Sequence, residues 1–409
     1  MPLQDGGDLA SGHNLVGYCC FRCQMREQSR DSVARADVQI WVVATGSGHR
    51  RVAEAVRAAL LEQSRGELRV AIDDPLATGA LPHARWLLLS YGPLVRTSPG
   101  LWGMLFRIFA RPLARRSLEE FLLTGLGRSM ERLSRQRQPR VVVSCHPLLG
   151  PGAMRAASAV ARPAPLVTVV TDLTVVHPGW LSPASATFLT PSAVASEWCR
   201  SQGIANDQIF ETGLPIDPRI GELAALPDAR AARRRELGLD PDRLCVLVGG
   251  GGEGAGDLRP GLMALASSGL PLQLVVLCGR NKGLLGWIRT LPKGAPIFPL
   301  PFTDDASSWL LSADAYVGKA GPSTLAEAAA AGLAILVTDA LPGQERANEA
   351  LLVEAGAAVS IGDATELVWV VRRLCDPADP LLGSLQAGAK RWARPSAAQL
   401  AASKIASLL

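Results

Sequence analysis

Residues 318–332 read GKAGPSTLAEAAAAG and join a predicted strand to a predicted helix. Pro322 occupies the first helical position, where its φ suits the helix and no N–H is needed. The first turn then offers the hydroxyls of Ser323 and Thr324 beside free backbone N–H groups, and a helix start favours negative charge. The combination favours a diphosphate site, and an ordinary capped helix is the alternative.

The same helix carries a carboxylate one turn further along. Glu327 can reach two vicinal hydroxyls with its two oxygens, as the ribose of a nucleotide requires. Gly321, just before the helix, leaves the backbone open to a ligand. The alternative is that Thr324 and Glu327 are capping residues.

The next strand-to-helix loop, residues 342–348, reads PGQERAN. Because the carboxyl ends of parallel strands meet at one edge of a sheet, this loop is predicted to lie beside the first motif. Gln344, Glu345 and Asn348 offer mixed donors and acceptors that suit sugar hydroxyls. The signal is weak alone and gains weight from its position one strand–helix unit after residues 318–332.

A third loop, residues 249–254, reads GGGGEG after the apolar run LCVLV. Five glycines so close to a strand predict a near approach of a ligand, or of the other domain, to the backbone around Gly251. A flexible turn is the alternative.

In the N-terminal half, residues 45–49 read TGSGH between a strand and a helix. The loop lacks the GK[ST] ending of a phosphate-binding P-loop, and Arg51 stands where a GxGxxG motif needs its third glycine, which disfavours a nicotinamide cofactor. His49, preceded by Gly48, is well placed as a general base. A histidine that caps the turn is an equally good interpretation.

Two further strands of this half end in polar residues. Asp172 follows the run LVTVV and precedes His177, and His146 leaves the strand RVVVS. Asp172 could orient a nearby base or position an acceptor hydroxyl, and the histidines could line the same cleft. A helix or turn cap is the alternative for Asp172, and a purely structural role in a loop is the alternative for His146.

The arrangement of short apolar runs and amphipathic helices predicts an α/β protein with two doubly wound, Rossmann-like parallel sheets that face each other across a cleft. A chain of 409 residues suits two domains of about 150–200 residues each. The predicted organisation is a disordered or mis-started tail at 1–36, an N-terminal domain at 37–215, a linker at 216–243, a C-terminal domain at 244–395 and a terminal helix at 396–409.

Composition excludes several classes of protein. The net charge of +5 is mild for this length and argues against nucleic acid. Cys20 and Cys23 form a CFRC pair, but no second pair follows at zinc spacing, so no metal site is expected. No secretory signal or membrane-spanning run is evident, and the expected location is cytoplasmic, peripheral on the inner face of a membrane.

The motifs together resemble family 28 glycosyltransferases of the GT-B fold. They are most similar to the monogalactosyldiacylglycerol synthase group and more distantly similar to the peptidoglycan N-acetylglucosaminyltransferase. The resemblance covers about residue 40 to 355, in family order. The matching segments are GSGHRRVAEAVRAAL, VTDLTVVHPGW, TGLPI, GGGGEGAG, LCGRNKGL, FTDDASSWLLSADAYVGKAGPSTLAEAAAAGL and PGQERAN.

The resemblance implies a role for each motif. UDP-hexose would bind the C-terminal domain and the acceptor the N-terminal one, with His49 as catalytic base and Asp172 assisting. The residues implied on the donor side are Gly251, Arg280, Asn281, Phe302, Thr303, Gly321, Ser323, Thr324, Glu327, Gln344, Glu345 and Asn348. Those on the acceptor side are Gly48, His146 and His177. Ser47 in place of a glycine, and GPST in place of GPGT, depart from the group and leave the choice of sugar and acceptor open.

The implied reaction is an inverting single displacement without a cofactor, because the helix dipole and hydrogen-bond donors can neutralise the leaving diphosphate. The acceptor is expected to be a lipid such as diacylglycerol. Residues 98–116, SPGLWGMLFRIFARPLARR, mix apolar bulk with arginine, as at an anionic membrane surface. The predicted membrane contacts are Trp102, Phe106, Arg107, Phe109 and Arg111. A buried helix with a solvated basic rim is the alternative.

Three functions remain open from the sequence. The first is a UDP-sugar glycosyltransferase that makes a glycolipid. The second is a UDP-sugar epimerase of the same fold, which would place extra carboxylates in the cleft. The third is a nucleotide-sugar-binding protein without activity, against which the presence of His49, Asp172 and Glu327 argues.

Overall fold

In the computed structural model, residues 35–409 form one compact unit. The described residues are 34–43, 48–77, 90–181, 185–291, 294–303, 305–343 and 345–409, without the side chains of 112–124. The predicted tail up to residue 33, with its CFRC pair, lies outside the described residues, as do residues 44–47 of the TGSGH loop and Gln344.

The first sheet has six parallel strands in the order β2-β1-β3-β4-β5-β6. Its strands are β1 (Val38–Trp41), β2 (Val70–Asp73), β3 (Val141–Ser144), β4 (Leu166–Val169), β5 (Ser185–Thr190) and β6 (Ile209–Glu211). The helices of this part of the chain are α1 (Gly48–Gln63), α2 (Tyr91–Thr97), α3 (Pro99–Phe109), α4 (Pro112–Arg137), α5 (Gly150–Ser158) and α6 (Ala193–Ser201).

The second sheet also has six parallel strands, in the order β12-β11-β10-β7-β8-β9. Its strands are β7 (Leu244–Gly249), β8 (Leu272–Gly279), β9 (Ile297–Pro301), β10 (Ala315–Lys319), β11 (Ala334–Asp339) and β12 (Ala358–Ser360). The remaining helices are α7 (Pro218–Ala224), α8 (Ala229–Leu237), α9 (Arg259–Ala266), α10 (Lys282–Ile288), α11 (Ala306–Ser312), α12 (Pro322–Ala330), α13 (Arg346–Glu354), α14 (Ala364–Leu374), α15 (Leu381–Trp392) and α16 (Ala397–Ala406).

The central strands are buried and mostly apolar because helices cover both faces of each sheet. All four residues of β1, β3 and β4 are buried. The predicted fold class, an α/β protein with two doubly wound sheets, is confirmed. The edge strands β6 and β12, of three residues each, were not predicted.

The C-terminal helix packs against the first sheet. Buried Ala398, Ala401 and Ile405 of α16 share one apolar cluster with Val52 and Val56 of α1. The polypeptide therefore returns to its N-terminal half after completing the second sheet. The domain boundaries at 215 and 243 remain a prediction, and the segment between them contains α7 and α8.

The strand order reverses once in each sheet, between β1 and β3 and between β7 and β10. At such a reversal, neighbouring strand-to-helix loops diverge to opposite faces and leave a crevice where ligands bind. The loops that leave these four strands lead to His49, His146, the glycines at 249–254 and the start of α12. The topology thus places the predicted catalytic and diphosphate groups at the two crevices.

Candidate functional site

His49 lies in a cluster of rings at the start of α1. Its Nδ1 is 3.0 Å from the hydroxyl oxygen of Thr171, and its ring centroid is 4.6 Å from that of His146 and 5.9 Å from that of Trp180. Burial lowers the pKa of His49 to about 4, against a hydrogen bond to the backbone of Cys145. The imidazole is therefore neutral at neutral pH, which is the form that accepts a proton.

The two histidines predicted on the acceptor side, His146 and His177, have local backbone partners. Nδ1 of buried His146 accepts a hydrogen bond from the N–H of Leu148 at 3.2 Å. Nδ1 of His177 accepts from the N–H of Gly179 at 3.0 Å, which caps the turn at Pro178–Trp180. The contact of His146 and His177 with the acceptor stays a prediction.

Asp172 lies in the same region, and its hydrogen-bond partners are His177 and Trp180. Its Oδ2 accepts hydrogen bonds from the N–H of His177 at 3.0 Å and from the indole N–H of Trp180 at 2.8 Å. Burial raises the pKa of Asp172 to about 6, and these two hydrogen bonds oppose the shift. Thr171 contacts the imidazole directly, and Asp172 holds the Trp180 ring beside it.

The starts of α1 and α12 face each other across the two sheets. A Cβ placed on Gly48 would lie 3.3 Å from the hydroxyl oxygen of Ser323. Gly321 provides no side-chain cap for α12, so Ser323 and Thr324 head a helix whose first N–H groups have no cap from that position. The structure brings together the predicted base and the predicted diphosphate site.

A salt bridge between α1 and α12 links the two halves of the protein. Nη1 of Arg51 is 2.8 Å from Oε2 of buried Glu327. Burial raises the pKa of the Glu327 carboxyl, and the positive charge of Arg51 opposes that shift. The carboxylate predicted to bind ribose is thus held by an arginine from the helix that carries His49.

The predicted sugar residues are also engaged within the protein. Oε1 of Glu345 pairs with Nζ of Lys319 at 2.5 Å, and its Oε2 accepts from the N–H of Leu341 at 3.0 Å. Asn348 accepts a hydrogen bond from the hydroxyl of Thr174 at 2.7 Å and donates to the carbonyl of Ala320 at 3.1 Å. Both side chains lie beside the start of α12.

The predicted nucleotide residues separate into two groups. The guanidinium of Arg280 lies 4.3 Å over the ring of Phe302, which is largely exposed. Asn281 caps α10 and donates to the carbonyl of Gly254 at 3.0 Å, which ties the glycine loop to β8. The hydroxyl of Thr303 accepts from the N–H of Asp305 at 3.1 Å. Arg280 thus stacks on Phe302 and also pairs with Glu253 at 2.8 Å, whereas Asn281 organises the loop.

Helix α3 lies against the loop that follows β11. A Cβ placed on Gly103 would come within 2.9 Å of Pro342, so only glycine permits this approach. The ring of Phe106 is 5.0 Å from that of His177, and the ring of Trp102 meets Tyr91 edge to face at 4.8 Å. Two of the predicted membrane contacts, Trp102 and Phe106, therefore pack against protein.

The opposite face of α3 is exposed. Arg107 is exposed on that face, Arg111 is exposed just after the helix ends, and Phe109 is half-buried. The exposed large apolar side chains of this helix are Leu101, Met104 and Ile108.

Sequence reasoning missed four residues of the site. Thr171 precedes Asp172, while Arg51 and Lys319 stand inside quoted motifs, so position in a motif was the available signal. Tyr91 had no signal, because the sequence around it shows no recognisable motif. Burial, together with the charges of nearby carboxylates, raises the pKa of its hydroxyl.

Comparison with known proteins identifies relatives over most of the chain. Residues 49–216 match a family described as monogalactosyldiacylglycerol synthase, and residues 245–381 match the glycosyltransferase family 28 C-terminal domain. The sequence is 31% identical to a probable chloroplastic monogalactosyldiacylglycerol synthase of Glycine max, over 97% of this chain and 78% of that protein. It is 30% identical to the chloroplastic monogalactosyldiacylglycerol synthase of Spinacia oleracea, over 86% of this chain and 69% of that protein.

Solved structures share the fold at low identity. Acinetobacter baumannii MurG is 18% identical with a TM-score of 0.56, over 90% of this chain and 99% of that one. The UDP-GlcNAc 2-epimerase of Neisseria meningitidis is 12% identical with a TM-score of 0.57, over 90% and 99%. The fold is thus common to transferases and epimerases, and the curated relatives distinguish between them.

Proposed function

Because the chain belongs to the monogalactosyldiacylglycerol synthase family, a family of glycosyltransferases, we propose that it transfers galactose from UDP-galactose to the free hydroxyl of diacylglycerol. The observation that carries this proposal is the close approach of the starts of α1 and α12, where Gly48 meets Ser323. That approach puts a neutral imidazole on one side of the reacting centre and an uncapped helix start on the other.

In the proposed reaction the acceptor hydroxyl gives its proton to His49 and attacks the anomeric carbon. The bond from that carbon to the β-phosphate oxygen breaks, and its electron pair leaves with UDP. The dipole of α12, its first N–H groups and the hydroxyls of Ser323 and Thr324 stabilise the leaving diphosphate. A single displacement inverts the anomeric configuration, and the UDP-sugar is the donor without a further cofactor.

The test is to incubate the protein with diacylglycerol vesicles and, separately, UDP-galactose, UDP-glucose and UDP-N-acetylglucosamine. UDP release is measured, and the lipid is analysed by mass spectrometry. We expect UDP release with UDP-galactose and a lipid product heavier by one hexose. Conversion of a UDP-sugar without acceptor would favour an epimerase, and UDP binding without turnover would favour a protein that only binds the nucleotide sugar.

The pH dependence of kcat/KM tests whether Asp172 supports the reaction. Its pKa of about 6 lies above that of His49, about 4, and kcat/KM follows the protonation of the free enzyme. If the charge of Asp172 supports proton transfer, kcat/KM falls as pH drops through about 6, where the carboxylate is lost. Asp172→Asn keeps an oxygen for the donors from His177 and Trp180, and we expect the fall to move toward the pKa of His49. The measurement is the initial rate of UDP release across that pH range for both proteins. If Asp172→Asn has the same pH profile as the wild type, Asp172 takes no part in the reaction.

The proposal extends to an anionic membrane surface at the inner face of a membrane, contacted by the exposed face of α3. Leu101, Met104 and Ile108 are 45%, 46% and 36% exposed. Arg107 lies on the same helix, and Arg111 lies just after the helix ends. Apolar side chains with arginines beside them suit the boundary between acyl chains and anionic headgroups. Among the described residues, no helix is both long and apolar enough to span a bilayer.

Vesicle sedimentation tests this surface. Each arginine near an anionic surface is worth about 1 kcal/mol, so R107Q/R111Q is expected to lower binding to anionic vesicles by about tenfold or more and to leave binding to neutral vesicles unchanged. L101S/M104S/I108S should weaken binding to both kinds of vesicle. Leu226→Ser is the control, since Leu226 is 56% exposed outside α3. Equal binding by all variants would contradict the assignment of this face.

A further inference from the structure

Lys319 is a largely buried cation to which none of the predicted motifs assigns a role. It is the last residue of β10, and its side chain is 15% exposed while that of its partner Glu345 is 3% exposed. Nζ lies 2.5 Å from Oε1 of Glu345. Burial raises the pKa of Asp339, and the positive charge of Lys319 opposes that shift.

The position of this ammonium group is set by two glycines. A Cβ on Gly251 would lie 3.4 Å from Cε of Lys319, and a Cβ on Gly321 would lie 3.1 Å from Nζ. The side chain therefore runs from the end of β10 between the glycine loop and the N-cap of α12. The hydroxyl of Tyr316 donates to the carbonyls of Gly249 and Lys319, at 2.9 and 3.2 Å, and so joins the two strand ends.

We infer that Lys319 is a further catalytic residue, which exchanges its ion pair with Glu345 for one with the leaving diphosphate. This inference rests on the proposed function. A positive charge at an uncapped helix start adds to the dipole and acts more strongly because the Lys319 side chain is largely withdrawn from water. Because Gly251 and Gly321 carry no Cβ, the backbone on either side of the lysine side chain leaves room for phosphate oxygens.

The step requires no proton from Lys319. As the acceptor oxygen bonds to the anomeric carbon, the bond from that carbon to the β-phosphate oxygen breaks and its electron pair moves to that oxygen. The acceptor proton goes to His49. Lys319 stays protonated throughout and stabilises the negative charge that accumulates on the diphosphate.

The exchange also gives Glu345 a second state. Its Oε2 remains bound to the N–H of Leu341, while Oε1 loses the lysine and becomes free to accept a hydrogen bond from a hydroxyl of the donor sugar. Diphosphate binding and sugar recognition are thereby coupled through one ion pair.

Titration calorimetry with uridine and with UDP, in the absence of acceptor, tests this role. We expect Lys319→Met to weaken UDP binding by about 10- to 100-fold and to leave uridine binding unchanged, because uridine has no phosphate. The kcat for UDP-galactose should fall by about 10²- to 10³-fold. Lys319→Arg keeps the charge and should recover most of the UDP affinity.

Two outcomes would overturn the inference. Equal loss of uridine and UDP affinity would make Lys319 a structural partner of Glu345, and unchanged UDP affinity would remove it from the site. K319M/E345Q removes both charges, leaves no unpaired buried carboxylate, and should show the same selective loss of UDP if Lys319→Met folds poorly. If the wild-type protein binds UDP more tightly than uridine but forms no galactolipid, the proposed function is wrong. The contact between Lys319 and the diphosphate is then still tested by these titrations.

Discussion

His49→Ala is expected to lower kcat by about 10³-fold while the dissociation constant of UDP changes by less than about twofold. The imidazole is held beside the hydroxyl of Thr171 at 3.0 Å and is neutral because burial lowers its pKa to about 4. In the proposed reaction this neutral imidazole accepts the proton that the attacking hydroxyl must lose. The proposed nucleotide site is at the start of α12, so UDP affinity is not expected to depend on the His49 ring.

Single-turnover formation of galactolipid gives the rate, and titration calorimetry gives the UDP affinity. Arg50→Ala is the matched control, since Arg50 is the next residue of α1 and pairs with Glu54 on the exposed side. We expect this variant to keep wild-type kcat. A large loss of UDP affinity in His49→Ala would mean that the histidine organises the donor site, and unchanged kcat would exclude it as the base.

Glu327→Gln is expected to weaken UDP binding by about 10- to 100-fold. Its two carboxylate oxygens are the groups predicted to bind the vicinal ribose hydroxyls, and an amide retains one acceptor without the charge. Hydrogen bonds to a charged group are worth about 1.5–3 kcal/mol, which sets the expected range.

The salt bridge with Arg51 adds a second arm to this experiment. In the free protein Arg51 occupies Oε2 of Glu327 at 2.8 Å, so a ribose has to share or displace that contact. Arg51→Met is therefore expected to bind UDP as well as, or more tightly than, the wild type. Glu54→Gln, on the exposed side of α1, is the control for the loss of a carboxylate. If Glu327→Gln binds UDP like the wild type, the ribose assignment is wrong.

Local patterns were sufficient for the parts of the site that depend on a single segment. Pro322 and the hydroxyls after it are placed by the sequence at the first turn of α12, and the structure has that turn. The family, the fold class and the transferase activity, which were all predicted from these motifs, are confirmed by relatives that cover most of the chain. The individual roles of the site residues remain predictions.

Contacts between segments far apart in the sequence could not be predicted from local patterns. The hydroxyl next to His49 belongs to Thr171, 122 positions away, although Asp172 is the more obvious partner in the sequence. Trp102 and Phe106 turn toward Tyr91 and His177, because Gly103 lets α3 settle on Pro342. An amphipathic pattern reports which residues share a face of a helix but not which neighbour that face meets.

The sequence by itself determined the two parallel sheets, the glycine loops and the helix start at Pro322, because apolar periodicity, glycine and proline act over a few neighbouring residues. Only the tertiary structure decided how the charges and buried polar groups pair: Arg51 with Glu327 and Lys319 with Glu345 as ion pairs, and Thr174 with Asn348 through a hydrogen bond. A buried charge or polar group is stable only with a partner, and the partner is chosen by which loops the packing of the two sheets brings together.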